Sequence, residues 1–230
     1  PALHSRYQGI PDDAADAGEI SALTSMRNGF RLLFTAILMF CVWPVHYVHA
    51  EMPEMNRMIV LSDIEADPDD TQTLIRLLLY SNQIEIQGLV ATTSVHQKTR
   101  IAPESIRKII EAYGKVLPNL QKHDAGFPDV ASLMQLVKEG SPVYGMQGVG
   151  EGKHSEGSEW ILRTLEQDDA RPLWISVWGG SNTLAQALFD LRLRKSEDDC
   201  RALVSKLRVY TISDQDDSGI WIRTNFPDLF

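Results

Sequence analysis

Residues 60–75 read VLSDIEADPDDTQTLI, and five carboxylates (Asp63, Glu65, Asp67, Asp69 and Asp70) fall within eight of those positions. The apolar run Met58 to Leu61 leads into them, and Leu74, Leu77 and Leu78 recur at helical spacing behind them. That succession predicts a buried strand handing over to an amphipathic helix. The acids sit at the handover.

The same alternation continues outward. IEIQGLVATTS (84–94) reads as a second strand, and APESIRKIIEAYG (102–114) as a helix with Pro103 in its first turn and Gly114 past its end. DVASLMQLVKEG reads as a helix closing on Gly140, followed by a glycine-rich loop, YGMQGVGEGKHSEG. SEGSEWILRTLEQDD is helical with Ser155 or Ser158 as cap, RPLWISVWGG a strand, SNTLAQALFDLRLR a helix and KLRVYTISDQDD a strand ending in acids. Strands alternating with helices at this spacing predict a single α/β domain: a Rossmann-like, open, mostly parallel sheet with helices on both faces.

The chain of 230 residues is 43% hydrophobic and 23% charged, which is ordinary globular composition. Its net charge of −9 argues against nucleic acid and against an anionic membrane surface as partners. From Met26 the chain reads as a signal peptide spanning 26–50. Arg27 and Arg31 form the basic segment, Leu32 to Val45 the apolar one, and Val48-His49-Ala50 the small-residue cleavage site. The apolar part is shorter than the roughly 20 residues a bilayer needs, so no stable membrane anchor is expected after cleavage. Residues 1–25 carry no motif and read as sequence upstream of the true start. The mature chain, 51–230, then keeps Cys200 alone and has no internal disulfide, which suits a bacterial periplasmic or secreted protein.

Two readings of the acidic stretch compete. Asp67 with Pro68 behind it is a good helix start, and Asp69 and Asp70 suit the positive end of a helix dipole. One cap, however, needs one carboxylate. Five entering a sheet edge repel one another, and a hard cation such as Ca²⁺, which takes about six to eight oxygen ligands, would relieve that. Ligands of open parallel sheets bind beyond the carboxyl ends of the strands, where these acids lie.

The run Asp-x-acid-x-x-x-Asp-Asp after a strand resembles the opening motif of the inosine-uridine nucleoside hydrolases. LWISVWGGSNTLAQAL resembles that family's later strand, glycine turn and helix. SDIEADPDDTQTLIRLLLYSN, GLVATTS, WGGSNTLAQAL and YTISDQDDSGIWIRTNFPDLF are closer still to the nucleoside-hydrolase-like domain of bacterial proteins labelled cellulose-binding, over Arg57 to Phe230. The resemblance implies an exported hydrolase of a glycosyl bond, N-glycosidic in type, using a carboxylate-bound Ca²⁺ and an activated water. The alternative is a carbohydrate-binding (cellulose-binding) protein on an inactive scaffold of the same kind.

By position, the resemblance implies Asp63, Asp70 and a carbonyl of Asn182 as metal ligands and Asp69 as a sugar contact. The family's catalytic Asp is replaced by Glu65, and the Gly two residues on by Asp67, so the base is open between Glu65 and Asp67. Thr93 to His96 fall where that fold lines its sugar pocket. His96 and His154 are the candidates for protonating a leaving group. Asp214 and Asp216 in SDQDDSG are either substrate contacts on the same rim or an acidic turn. Trp178 is either core or a stacking platform. The expected partner is a small glycoside or carbohydrate, a homo-oligomer is possible, and the family's distal His-Asp segment has no counterpart before Phe230, so the C-terminal part of the domain is expected to be missing.

Overall fold

The computed structural model describes residues 54–229. The signal peptide and upstream segment expected over 1–50 lie outside the described residues. Among the described residues no helix is long and apolar enough to cross a membrane.

Five strands form one wholly parallel sheet in the order β3-β2-β1-β4-β5. They are β1 Asn56–Ser62, β2 Ile84–Ala91, β3 Val137–Glu139, β4 Leu173–Val177 and β5 Leu207–Thr211. Both faces are covered, so successive residues of β1 serve opposite cores. Ile59 and Leu61 pack with Ile161, Leu184, Leu188 and Val204, whereas Val60 packs with Leu74, Leu78, Ile106 and Ile110. The first set belongs to α4 Glu156–Leu165, α5 Asn182–Arg194 and α6 Glu197–Val204, joined by α7 Ser218–Asn225. The second belongs to α1 Asp69–Leu79 and α2 Pro103–Leu120, with α3 Val130–Gln135 beside them.

The α/β architecture agrees with the expectation, with corrections in detail. Gly114 does not end α2, which runs on to Leu120 and contains Pro118. Its role is room: a β-carbon there would lie 2.8 Å from Val130 Cγ2 of α3. The segment expected as one helix to Gly140 is instead the short α3 followed by β3, because Val137, Lys138 and Glu139 pair in register with Leu89, Val90 and Ala91. Helices α6 and α7 were not anticipated. The start of α6 is nevertheless written plainly, since Ser196 accepts a hydrogen bond from the Asp199 amide ahead of three acids in the first turn.

Candidate active site

The strand order reverses at β1, where β2 follows on one side and β4 on the other. The crevice beyond the carboxyl ends of β1 and β4 is therefore the place where such sheets bind ligands. Asp63 follows β1 directly, and Trp178, Gly179 and Gly180 follow β4. A β-carbon on Gly179 would lie 2.7 Å from Asp63 Cβ, and one on Gly180 would lie 2.6 Å from the Thr93 carbonyl. Only glycine lets these loops close. The Gly180 amide donates to the Thr93 carbonyl at 2.8 Å, bridging the ends of β2 and β4 over β1.

The five acids separate by environment. Asp63 and Asp70 are buried, at 5% and 7% exposure, and Glu65, Asp67 and Asp69 are exposed. Asp70 accepts a hydrogen bond from Ser62 Oγ at 2.6 Å. Burial, reinforced by the neighbouring charges of Asp63 and Asp69, pushes its carboxyl up to about 7. Among the described residues no Lys or Arg forms an ion pair with either Asp63 or Asp70.

Glu65 takes a positive φ of 79° and meets Arg100 at 2.7 Å and Ser105 Oγ. The Ser105 hydroxyl and the Arg100 guanidinium hold its carboxyl below the usual range. Asp67 and Asp69 share a hydrogen bond that lowers the first and raises the second, and Asp67 Oδ1 also accepts the Asp69 amide at 3.2 Å. The expected cap is corrected by one position: Pro68, not Asp67, is the N-cap of α1, which begins at Asp69, and no side chain caps it. Asp67 stands one residue earlier and, of the helix amides, reaches only that of Asp69. His96 is exposed and near enough to Asp67 to add a smaller lowering influence. His154 is exposed beside Glu159 of α4.

Three expected site residues have side chains committed to structure. Asn182, fully buried, donates from Nδ2 to the Val143 carbonyl at 2.7 Å and to Thr93 Oγ1 at 3.3 Å, so its side chain ties down the loop after β3. Asp216 accepts from the Asn182 amide at 3.1 Å and the Ser218 amide at 2.9 Å, and from the hydroxyls of Ser181 and Ser218. It secures the first turns of α5 and α7, which explains its burial better than substrate contact does. Trp178 is buried against the α1–α3 core and donates to Ser176 Oγ at 2.9 Å; it is core, not a platform. Asp214 pairs with Arg223 at 2.7 and 2.9 Å on the surface.

Gln97 was not among the expected residues. Its Nε2 donates to the carbonyls of Asp63 at 3.4 Å and Ile64 at 3.2 Å, while its buried Oε1 has no partner among the described residues. Its only signal in sequence is its place next to His96. Among the described residues no three His, Cys, Asp or Glu side chains converge as a metal site. The oxygens there that could serve a hard cation are the carboxylates of Asp63 and Asp70 and this amide oxygen, groups of the types Ca²⁺ takes.

The family described as cellulose-binding Sde182, nucleoside hydrolase-like domain, matches residues 57–230. The chain belongs to this family. A solved structure of a nucleoside hydrolase-related hypothetical protein from Saccharophagus degradans, associated with carbohydrate metabolism, superposes with a TM-score of 0.75 at 41% identity, over 77% of this chain. The chain spans 43% of that structure's length. No curated protein sequence matches. The five-stranded parallel sheet of this Sde182-type domain is thus a nucleoside hydrolase-like fold, and the acids lie at its switch-point crevice, where open parallel sheets in general bind ligands.

Proposed function

We propose that this domain acts outside the cytoplasm on a glycosyl bond, N-glycosidic in type, of a small carbohydrate or glycoside. Asp63 and Asp70 would hold a Ca²⁺. The observation that carries this reading is the pair itself: two buried carboxylates side by side, without a cationic partner among the described residues, one of them raised to about 7 by burial and like charge. When bound, a hard cation supplies a grip on vicinal sugar hydroxyls and acidifies a water. Of the two candidate bases, Asp67 is exposed and held ionised at neutral pH, so it is free to take a proton. Asp69, beside it, faces solvent and is available to accept a sugar hydroxyl.

One observation favours the second reading, carbohydrate binding without turnover. Glu65, at a backbone φ of 79°, is held by Arg100 and Ser105. The family description as cellulose-binding suits this reading too.

Titration calorimetry of the 230-residue chain with Ca²⁺, beside Asp70→Asn, tests the first reading, together with p-nitrophenol release from p-nitrophenyl glycosides. Saturable binding abolished by Asp70→Asn, with turnover lost in Asp67→Asn, supports the hydrolase. Ca²⁺-dependent sugar binding without turnover supports the second reading. Equal, unsaturable heats from both proteins reject the cation site.

A further inference from the structure

We infer that Gln97 supplies a third protein oxygen, its Oε1, to the cation held by Asp63 and Asp70; this rests on the cation reading above. Every other polar atom of Gln97 is in use. Its amide donates to the Ser94 carbonyl at 3.2 Å and to Ser94 Oγ at 3.1 Å, and its carbonyl accepts from the Ser94 amide at 3.2 Å. The residue thereby closes a tight turn just past β2. From that turn the side chain reaches across to the loop after β1, where Nε2 spends its two hydrogens on the carbonyls of Asp63 and Ile64. Two acceptors face that end of the amide, so the nitrogen must point at them and the oxygen away.

The oxygen left over is buried, the residue being 6% exposed, and it has no donor among the described residues. A buried acceptor without a partner is costly, and native structures keep few of them without a reason. This one is borne by the side chain that clasps the backbone of Asp63, which like its neighbour Asp70 is buried and, among the described residues, without a cationic partner. The corner therefore offers acceptor oxygens and calls for a hard cation. Such ions take neutral amide oxygens along with carboxylates.

Two substitutions separate a ligand from a strut. Gln97→Glu keeps an oxygen at the position and loses the donor to Asp63; Gln97→Met loses both. Ca²⁺ calorimetry on the 230-residue chain should show Gln97→Met weakened by about tenfold or more, the scale on which altered metal surroundings act. Gln97→Glu should bind at least as tightly as the parent, since it adds a charged oxygen. Tb³⁺ bound in place of Ca²⁺ should carry one more water in Gln97→Met, read from its luminescence lifetime in H₂O and D₂O. Equal weakening in both variants, or unchanged affinity and hydration in Gln97→Met, would overturn the assignment while leaving the Asp63–Asp70 site standing. If Gln97→Met does not fold, Gln97→Glu decides alone: binding weaker than the parent by about tenfold overturns the assignment. Absence of saturable binding in the parent chain overturns the cation reading itself and this inference with it.

Discussion

Gly179 and Asp63 approach so closely that a β-carbon on the glycine would lie 2.7 Å from Asp63 Cβ and 2.9 Å from its amide nitrogen. The contact is to backbone and to a β-carbon, so nothing flexible can yield. Gly179→Ala should cost about 1–3 kcal/mol of stability, as overpacking does. It should also displace Asp63 and weaken the proposed Ca²⁺ binding in the same protein. Urea unfolding and calorimetry check both, and an alanine variant equal to the parent in both would show that the two loops are free to part.

Two acids two residues apart should behave oppositely. Asp216 is buried and accepts bonds from Asn182, Ser181 and Ser218, so Asp216→Ala leaves several buried donors unpaired and should cost about 2–4 kcal/mol. Asp214 meets Arg223 at an exposed site, and Asp214→Ala should cost about 1 kcal/mol or less. Comparable losses from chemical denaturation of the two variants would refute this contrast.

Glu65 is the single non-glycine residue with positive φ among the described residues. A side chain there costs roughly 1–2 kcal/mol that glycine does not. Glu65→Gly should therefore be more stable than Glu65→Ala by about 1 kcal/mol, both having lost the Arg100 contact. Equal stabilities would mean that the backbone relaxes once the contact is gone.

At the opposite end of the sheet, Arg171 bonds Asp169 at 2.6 Å and the buried Arg57 stands 3.3 Å from it. The Arg171 guanidinium, helped by Arg57, takes the Asp169 carboxyl from its ordinary 3.8 down to about 2. A depressed carboxylate stabilises the fold above its unfolded pKa, and that contribution fades as pH falls through the folded one. The parent should thus be more stable than Asp169→Asn at pH 7, with the gap closing between about pH 4 and pH 2. A gap independent of pH in urea midpoints would contradict it.

Gly114 of α2 faces Val130 Cγ2 of α3, with 2.8 Å left for a β-carbon. Gly114→Ala should be neutral or destabilising, although alanine is favoured over glycine in a helix by about 1 kcal/mol. With Val130→Ala as background the methyl has space, and the same substitution should stabilise by roughly that amount. A thermal-melting cycle of the four proteins would reveal the change of sign, or its absence.

The alternation of strands and helices was legible because apolar periodicity follows directly from burial on two sheet faces, as the split of Ile59 and Leu61 from Val60 demonstrates. Gly114 misled because glycine stops helices and also admits close neighbours, and nothing local distinguishes those uses. Val137 to Glu139 looked helical because three residues are too few for a period; β2 makes them a strand. Of the acidic stretch, the sequence shows the crowding but not the division into two buried and three exposed groups, which depends on the turn taken at Glu65. Gln97 was invisible for a related reason. Its partners lie more than 30 positions away, and glutamine carries no chemistry that marks it in advance.

Asp216 has a mechanical consequence. By holding the first amide of α5 and the first amide of α7 with one carboxylate, it joins the units that follow β4 and β5 into a single stiff block. The Gly180–Thr93 bond clasps that block to the β2 side, together with the Val95 amide on the Gln215 carbonyl at 2.7 Å and Asn182 Nδ2 on Thr93 Oγ1. Any widening of the crevice to admit a bulky ligand must therefore strain these links before it disturbs either half. The amide proton of Gly180 is the natural reporter of such breathing in hydrogen exchange.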